Sequence, residues 1–336
     1  MPETSVPHLR FLVVANLDAT FVKDDVEILS ELGEVHFWNT SEKGVAAPEL
    51  MRLSAEVDII YCWFASFHSL LPTVLGSLFG KPVIVVSGGY DSASVPEIGY
   101  GNAGHLLKKY VSGFVINRAS AVIVNSAFSA NDLLRFKPGS ESKLHIIPHR
   151  INPLFPDPQP QREEKLLLTV ARLNPMNYRR KKIELIKKIG EALPDYKIIH
   201  IGKVDDELQE QLDESMPENM STLGYLPDDE LWSWYHRAQA LLVPSWHEGF
   251  GVTAAEAPAA GCLPFISGAG AQPEVTKGFA VEVKSDEVTD WVNAIQKALP
   301  VSDEHRLQMK RSMLDSYTGD VRKNGIMKAV RAVIRL

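Results

Sequence analysis

The feature that most constrains this chain is a rhythm that runs through it twice: short runs of aliphatic and β-branched residues, bounded by turn residues and separated by helix-length segments. In the first half the runs are Phe11 to Ala15, Val35 to Trp38, Val57 to Cys62, Pro82 to Val86, Ala121 to Asn125 and Leu144 to Ile147. In the second they are Leu166 to Ala171, Tyr196 to Ile201, Met220 to Leu223, Ala240 to Val243, Leu263 to Ser267 and Phe279 to Val283. Strands that alternate with helices in this way form parallel sheets covered on both faces. Between the halves lies IPHRINPLFPDPQPQREE, whose repeated prolines forbid a continuing helix or central strand and predict a linker near Asn152 to Gln161. The expected architecture is α/β, with two Rossmann-like domains over residues 1–155 and 156–315 facing a cleft. The stretch Leu307 to Leu336 reads as helical with a break near Thr318-Gly319, so a C-terminal helix over residues 316–336 is expected to cross back to the first domain.

A net charge of -7 argues against general nucleic-acid binding, which needs a positive surface to displace counterions from phosphates. The two cysteines, Cys62 and Cys262, are too few for a zinc site or a disulfide framework. MPETSVPHLRFLVVANLD lacks the pattern of a signal peptide, and no apolar run approaches about 20 residues, so a cytoplasmic protein is expected. The segment HLLKKYVSGFVINR at 105–118 mixes apolar and basic residues. It fits either a lipid-linked acceptor, with peripheral association at the inner membrane face, or a buried helix with a wet basic edge.

The most informative segment is LLVPSWHEGFGVTAAEAPAAGCLPFIS, residues 241–267. An apolar strand leads into a Trp-His-Glu turn, two glycines at 249 and 251, and an alanine-rich helix that ends at Gly261. The glycines let backbone approach a ligand, and the helix start offers unpaired N–H groups at a positive dipole end, which suits a diphosphate. Glu248 and Glu256 suit hydroxyl groups better than phosphate, because carboxylates accept hydrogen bonds and repel anions. Positive charge is then expected from TVARLNPMNYRRKKIELIKKI, where Arg172 follows a strand and Arg179 to Lys182 open a helix.

These segments together resemble the family 4 glycosyltransferases, retaining enzymes of the GT-B fold. The signature EGFGVTAAE, preceded by VPSWH and followed by AAGCLPFIS and GAQPEV, carries the resemblance, together with TVARL, RRKKIELIKKI, AVIVNSAFSANDL, KLHIIPHRINPLF, HIGKV and LGYLPDDELWSWYHRAQALLVPS, from about Ala121 to Val283. The resemblance implies that Glu248 contacts the transferred sugar and that Arg172 and Lys181 clamp the diphosphate. Backbone N–H groups of Gly249, Phe250, Gly251 and Val252 would approach sugar and phosphates, Glu256 would hold the ribose, and Tyr225 and Leu226 would meet the base. It further implies a UDP- or GDP-sugar donor, a glycan, lipid-linked or small-molecule hydroxyl acceptor, and no metal or other cofactor. The first domain departs from the family: VVANLDATF stands in place of a glycine-rich turn, and VVSGGYDSASVPEIGYG where a cleft histidine is sought. Gly88, Gly89, Tyr90 and Asp91 follow a strand at its carboxyl end, which makes Gly88 and Gly89 the acceptor-side candidates.

Blander readings hold for several residues. Arg179, Arg180 and Lys182 read as a solvated basic face. His68, His105 and His247 read as structural or solvent-facing, and Trp232, Trp234 and Tyr235 as helix packing. GAGAQP at 268–273 lacks the third glycine of a dinucleotide site. A non-catalytic nucleotide-sugar-binding or scaffold protein is the competing function, given the missing histidine.

Overall fold

The computed structural model describes residues 8–17, 19–44 and 46–334. Residues 1–7 of the N-terminal stretch read above against a signal peptide, Asp18 of VVANLDATF, and Arg335 and Leu336 of the C-terminal stretch lie outside the described residues. The chain divides into two compact units, Met1–Arg150 with Gly319–Leu336, and Ile151–Thr318.

Unit 1 is a parallel sheet of β1 (Leu9–Ala15), β2 (Gly33–Asn39), β3 (Ile59–Trp63), β4 (Val83–Ser87), β5 (Ala121–Val124) and β6 (Leu144–Ile146), in the order β2-β1-β3-β4-β5-β6. Its central strands are almost wholly apolar because helices cover both faces: IIYCW and VIVVS are buried at every position, the terminal Ser87 included. Successive side chains of β1 go to opposite sides, Leu12 and Val14 into one core, Phe11, Val13 and Ala15 into the other. The second core is completed by the helix Gly319–Val333, which contributes Ile326, Ala329 and Val330. From the same helix the buried Arg322 forks onto Asp25 at 2.6 and 2.8 Å, and Asp25 also accepts from the Tyr61 hydroxyl. The C-terminal helix is therefore part of the interior of unit 1, and the break between helices at Tyr317–Thr318 is where the chain leaves unit 2.

Unit 2 holds β7 (Leu166–Val170), β8 (Lys197–Ile201), β9 (Met220–Thr222), β10 (Ala240–Val243), β11 (Leu263–Ile266) and β12 (Val281–Glu282), all parallel, in the order β12-β11-β10-β7-β8-β9. Its core joins Leu167, Leu242 and Phe265 of the sheet to Ile186 and Ile189 of the helix Ile183–Ala192, and to Trp291 and Ile295 of Val288–Ala298. The proline-rich stretch is strapped onto this unit: Phe155 meets His236 edge-on at 5.8 Å, and the Leu154 carbonyl lies 3.1 Å from the His236 ring. Among the described residues all twelve strands fall on the runs read from the sequence, within two residues at each start.

Candidate functional site

Strand order locates the site before any motif does. In unit 2 the chain builds outward from β7 to β8 and β9 on one side, then crosses to β10 and continues to β11 and β12 on the other. The reversal leaves a crevice outside the carboxyl ends of β7 and β10, the place where open α/β sheets bind ligands. Two loops line it, one after Val170 and one after Val243.

The loop after β7 runs through Arg172 into the short helix Pro175–Arg180, whose start is capped by the Asn174 side chain accepting from the Asn177 N–H. Lys181 ends that helix, and Lys182 takes a left-handed backbone (φ 51°) that restarts the chain as Ile183–Ala192. This break points Arg180 and Lys181 inward. The loop after β10 carries Ser245 to Gly249 and then Gly251, at φ 86°, which begins the helix Val252–Ala259. A backbone bond from the Trp246 N–H to the Arg180 carbonyl, 2.8 Å, fastens the loops together.

At their junction sits Glu248, its side chain 7% exposed. One carboxylate oxygen lies 2.6 Å from Lys181 Nζ and the other 3.1 Å from the Arg180 guanidinium, which also donates to the His247 carbonyl at 2.9 Å. Burial would push the Glu248 carboxyl up, but Arg180 and Lys181 more than offset it and hold its pKa at about 2. Burial lowers the pKa of Lys181, against the opposing pull of Glu248. From below, Glu248 is held by the segment that mimicked a dinucleotide motif: the Ala271 N–H donates to the Glu248 carbonyl at 2.8 Å. A Cβ on Gly270 (φ 70°) would stand 2.4 Å from that oxygen, so only glycine allows the approach.

Glu256 lies on the helix Val252–Ala259 and accepts from the hydroxyl of the fully buried Tyr235 at 3.0 Å. Gly249 and Phe250 are buried, Phe250 packing edge-on against Tyr317 at 5.4 Å, while Gly251 and Val252 are half-buried at the helix start. The Phe250 ring is thereby committed to packing. Arg172 stands apart from the Glu248 cluster: its guanidinium is 61% exposed and pairs with Asp205 at 3.0 Å. Tyr225, exposed, and Leu226 follow β9 at the far edge of the same carboxyl end. Gly88 and Gly89 belong to unit 1, where the strand order reverses between β1 and β3, one strand away from the β4 that they follow. A local reason accounts for each: a Cβ on Gly88 would stand 2.3 Å from the Phe64 ring, and Gly89 has φ 100°.

The largest omission of the sequence reading is Arg180, placed there on a solvated face. Arg179 is exposed as expected, but Lys182 is not on a solvated face, being largely buried against Asp286 and Trp246, and the helix break turns Arg180 toward Glu248. Four consecutive cations at a helix junction were the available signal, since one turn cannot present all four to water. Trp246, with Lys182 4.1 Å from its ring centre, was not singled out either. Among the described residues no three His, Cys, Asp or Glu side chains come together as a metal ligand set, and no helix is long and apolar enough to cross a membrane.

Solved structures share this architecture along nearly the whole chain. An Anabaena protein, HepE, crystallised with UDP and glucose, superposes with a TM-score of 0.73 at 14% identity, covering 97% of this chain and 100% of that one. Sucrose-phosphate synthase from Thermosynechococcus elongatus gives 0.75 at 15% identity over 96% and 98%. A putative UDP-N-acetylglucosamine 2-epimerase from Listeria monocytogenes gives 0.62 at 10% identity over 97% and 96%. The fold is that of the GT-B glycosyltransferases. In sequence, residues 152–313, which span the whole unit 2 sheet, match the family described as Glycosyl transferases group 1. No curated protein matches the chain.

Proposed function

We propose that this chain is a retaining glycosyltransferase that moves a sugar from a UDP- or GDP-sugar to a hydroxyl acceptor, using the crevice between β7 and β10 as its donor site. The observation that carries the reading is the buried contact of Glu248 with Lys181 and Arg180 where the strand order reverses. Two largely buried cations only half balanced by one carboxylate are a ready receptor for a diphosphate, which brings more negative charge than Glu248 supplies. As the bond from the anomeric carbon to the β-phosphate breaks, charge grows on the departing diphosphate, and Lys181 and Arg180 stabilise it in a low-dielectric setting. Arg172, at the mouth of the same loop, leaves Asp205 to join the clamp when donor is present. Glu248, released from the cations, then accepts from sugar hydroxyls, and Glu256 from the ribose. Backbone N–H groups at the helix start at Val252 complete the phosphate cradle.

The clamp supplies the charge that a divalent cation supplies elsewhere, so turnover is expected to persist in excess EDTA. A thermal-shift screen of UDP-, GDP- and ADP-sugars identifies the donor, because a ligand bound only by the folded state raises its melting temperature. No shift with any of them, or activity that vanishes in EDTA and returns with Mg²⁺ or Mn²⁺, would overturn the reading. A non-catalytic binder would shift with the same nucleotides and never consume one.

A further inference from the structure

The helices over one face of the unit 1 sheet carry apolar side chains on their outer side as well as their inner one. In the helix Leu106–Arg118, Ser112, Val115 and Ile116 are buried. On its solvent side Leu106, Leu107 and Tyr110 are 74, 67 and 69% exposed, and Phe114 is 38% exposed. Leu107, Tyr110 and Phe114 recur at helical spacing and form one stripe. The helix Phe67–Phe79, packed beside it, repeats the pattern with Phe67, Val74 and Leu78 exposed. Water-soluble helices ordinarily turn polar residues outward, and contiguous apolar surface of this kind marks an interaction site.

The charge on this face says what the site takes. Between residues 59 and 136 the carboxylates are Asp91, which is buried, Glu97, and Asp132, which pairs with Arg135, against Lys81, Lys108, Lys109 and Arg118, in a chain whose net charge is -7. Lys137 adds to them, its side chain lying against Gly113 of the 106–118 helix. On the neighbouring helix Ala47–Glu56, Glu49 and Glu56 are both tied to Arg52. A second copy of the chain meeting this face about a two-fold axis would set its cations against themselves. An anionic bilayer complements both properties.

We propose that this face docks unit 1 peripherally on an anionic lipid bilayer. The 106–118 helix lies in the interfacial plane, Leu106, Leu107 and Leu78 enter the acyl boundary, Tyr110 sits at headgroup depth, and Lys109 and Arg118 meet lipid phosphates. At 13 residues the helix is about 20 Å long, too short to span. Helices of a parallel sheet start at its carboxyl edge, so Phe67, Leu106 and Leu107 stand at the end of unit 1 where its own crevice opens. The proposal is independent of the donor-site reading and goes beyond it.

Flotation of the full chain with phosphatidylcholine vesicles, with and without phosphatidylglycerol, tests it. Binding is expected only with phosphatidylglycerol and should weaken as NaCl rises. Leu107→Gln should weaken it roughly tenfold or more, and Lys109→Gln about fivefold. Both replace exposed side chains, so melting temperatures should stay at the wild-type value, which separates lost docking from lost folding. Absent binding at low salt, or binding indifferent to both substitutions, would overturn the proposal. Self-association in solution that Leu107→Gln abolishes would assign the face to a second copy and overturn it as well.

Discussion

Replacing Glu248 by Gln keeps the side chain's shape and removes its charge, which leaves Lys181 and Arg180 facing each other in a site from which water is largely excluded. Breaking a buried ion pair by deleting one partner costs roughly 3 to 5 kcal/mol, because the remaining charge stays desolvated and uncompensated. Unit 2 is of a size at which 1 kcal/mol moves the melting temperature about 2 to 4 °C, so its transition should fall by roughly 6 to 20 °C. A nucleoside diphosphate should then reverse the loss. In the wild-type protein it must displace a carboxylate bonded to both cations; in the variant it meets them unoccupied. The variant should bind the diphosphate roughly ten- to a hundredfold more tightly, the equivalent of about 1.5 to 3 kcal/mol for a charge-assisted contact no longer broken on entry. Turnover should fall, because the sugar loses its carboxylate partner. Differential scanning fluorimetry with and without UDP or GDP, followed by titration calorimetry, reads both effects. Unchanged melting and an equal ligand-induced shift in the two proteins would refute the idea that Glu248 holds the clamp closed.

Acid should act on the same group. The folded-state pKa of Glu248, about 2, lies below its ordinary value of 4.5, so its stabilisation is complete above about pH 4.5 and is lost as pH falls toward 2. The melting-temperature gap between wild type and Glu248→Gln should therefore close on acidification; a gap that stays constant would remove the carboxylate as its source. Glu256→Gln should weaken binding of the product diphosphate and of the sugar nucleotide alike, by roughly tenfold or more, since the ribose is common to both, and calorimetry with each would expose a preference that contradicts this. Ending the chain at Thr318 removes Arg322, Ile326 and Val330 from the interior of unit 1 and leaves Asp25 without its buried partner. Loss of soluble protein is expected, with Arg322→Met also destabilising by roughly 3 to 5 kcal/mol, and a truncated chain of normal stability would contradict the place of this helix in the core of unit 1.

The sheets were legible because period and burial leave one interpretation: a run such as VIVVS, aliphatic up to its final serine and flanked by turn residues, belongs in a buried parallel strand. The neighbourhood of Glu248 was legible for a related reason, since glycines before an alanine-rich helix start are needed only where backbone comes close to something. What the sequence hid was direction. Arg180 and Arg179 are adjacent, and which of them turns inward depends on a left-handed residue at Lys182 that no propensity favours. Strand order was hidden as well: Gly88 and Gly89 follow a strand end as a ligand loop would, but only the topology shows that the reversal lies between β1 and β3. The stripe of Leu107, Tyr110 and Phe114 has the spacing of a core face, and its exposure is a tertiary fact.

One experiment decides whether the crevice between β7 and β10 holds and cleaves a sugar nucleotide. The full chain is incubated with the sugar nucleotide that stabilises it, without acceptor, and nuclear magnetic resonance follows free nucleoside diphosphate and the anomeric proton of the released sugar. Slow release is expected, with the sugar first appearing in the donor's own anomeric configuration, and Lys181→Met should reduce the rate at least about a hundredfold. Release at the wild-type rate by Lys181→Met, or a donor that binds and is never consumed, would contradict the proposed chemistry.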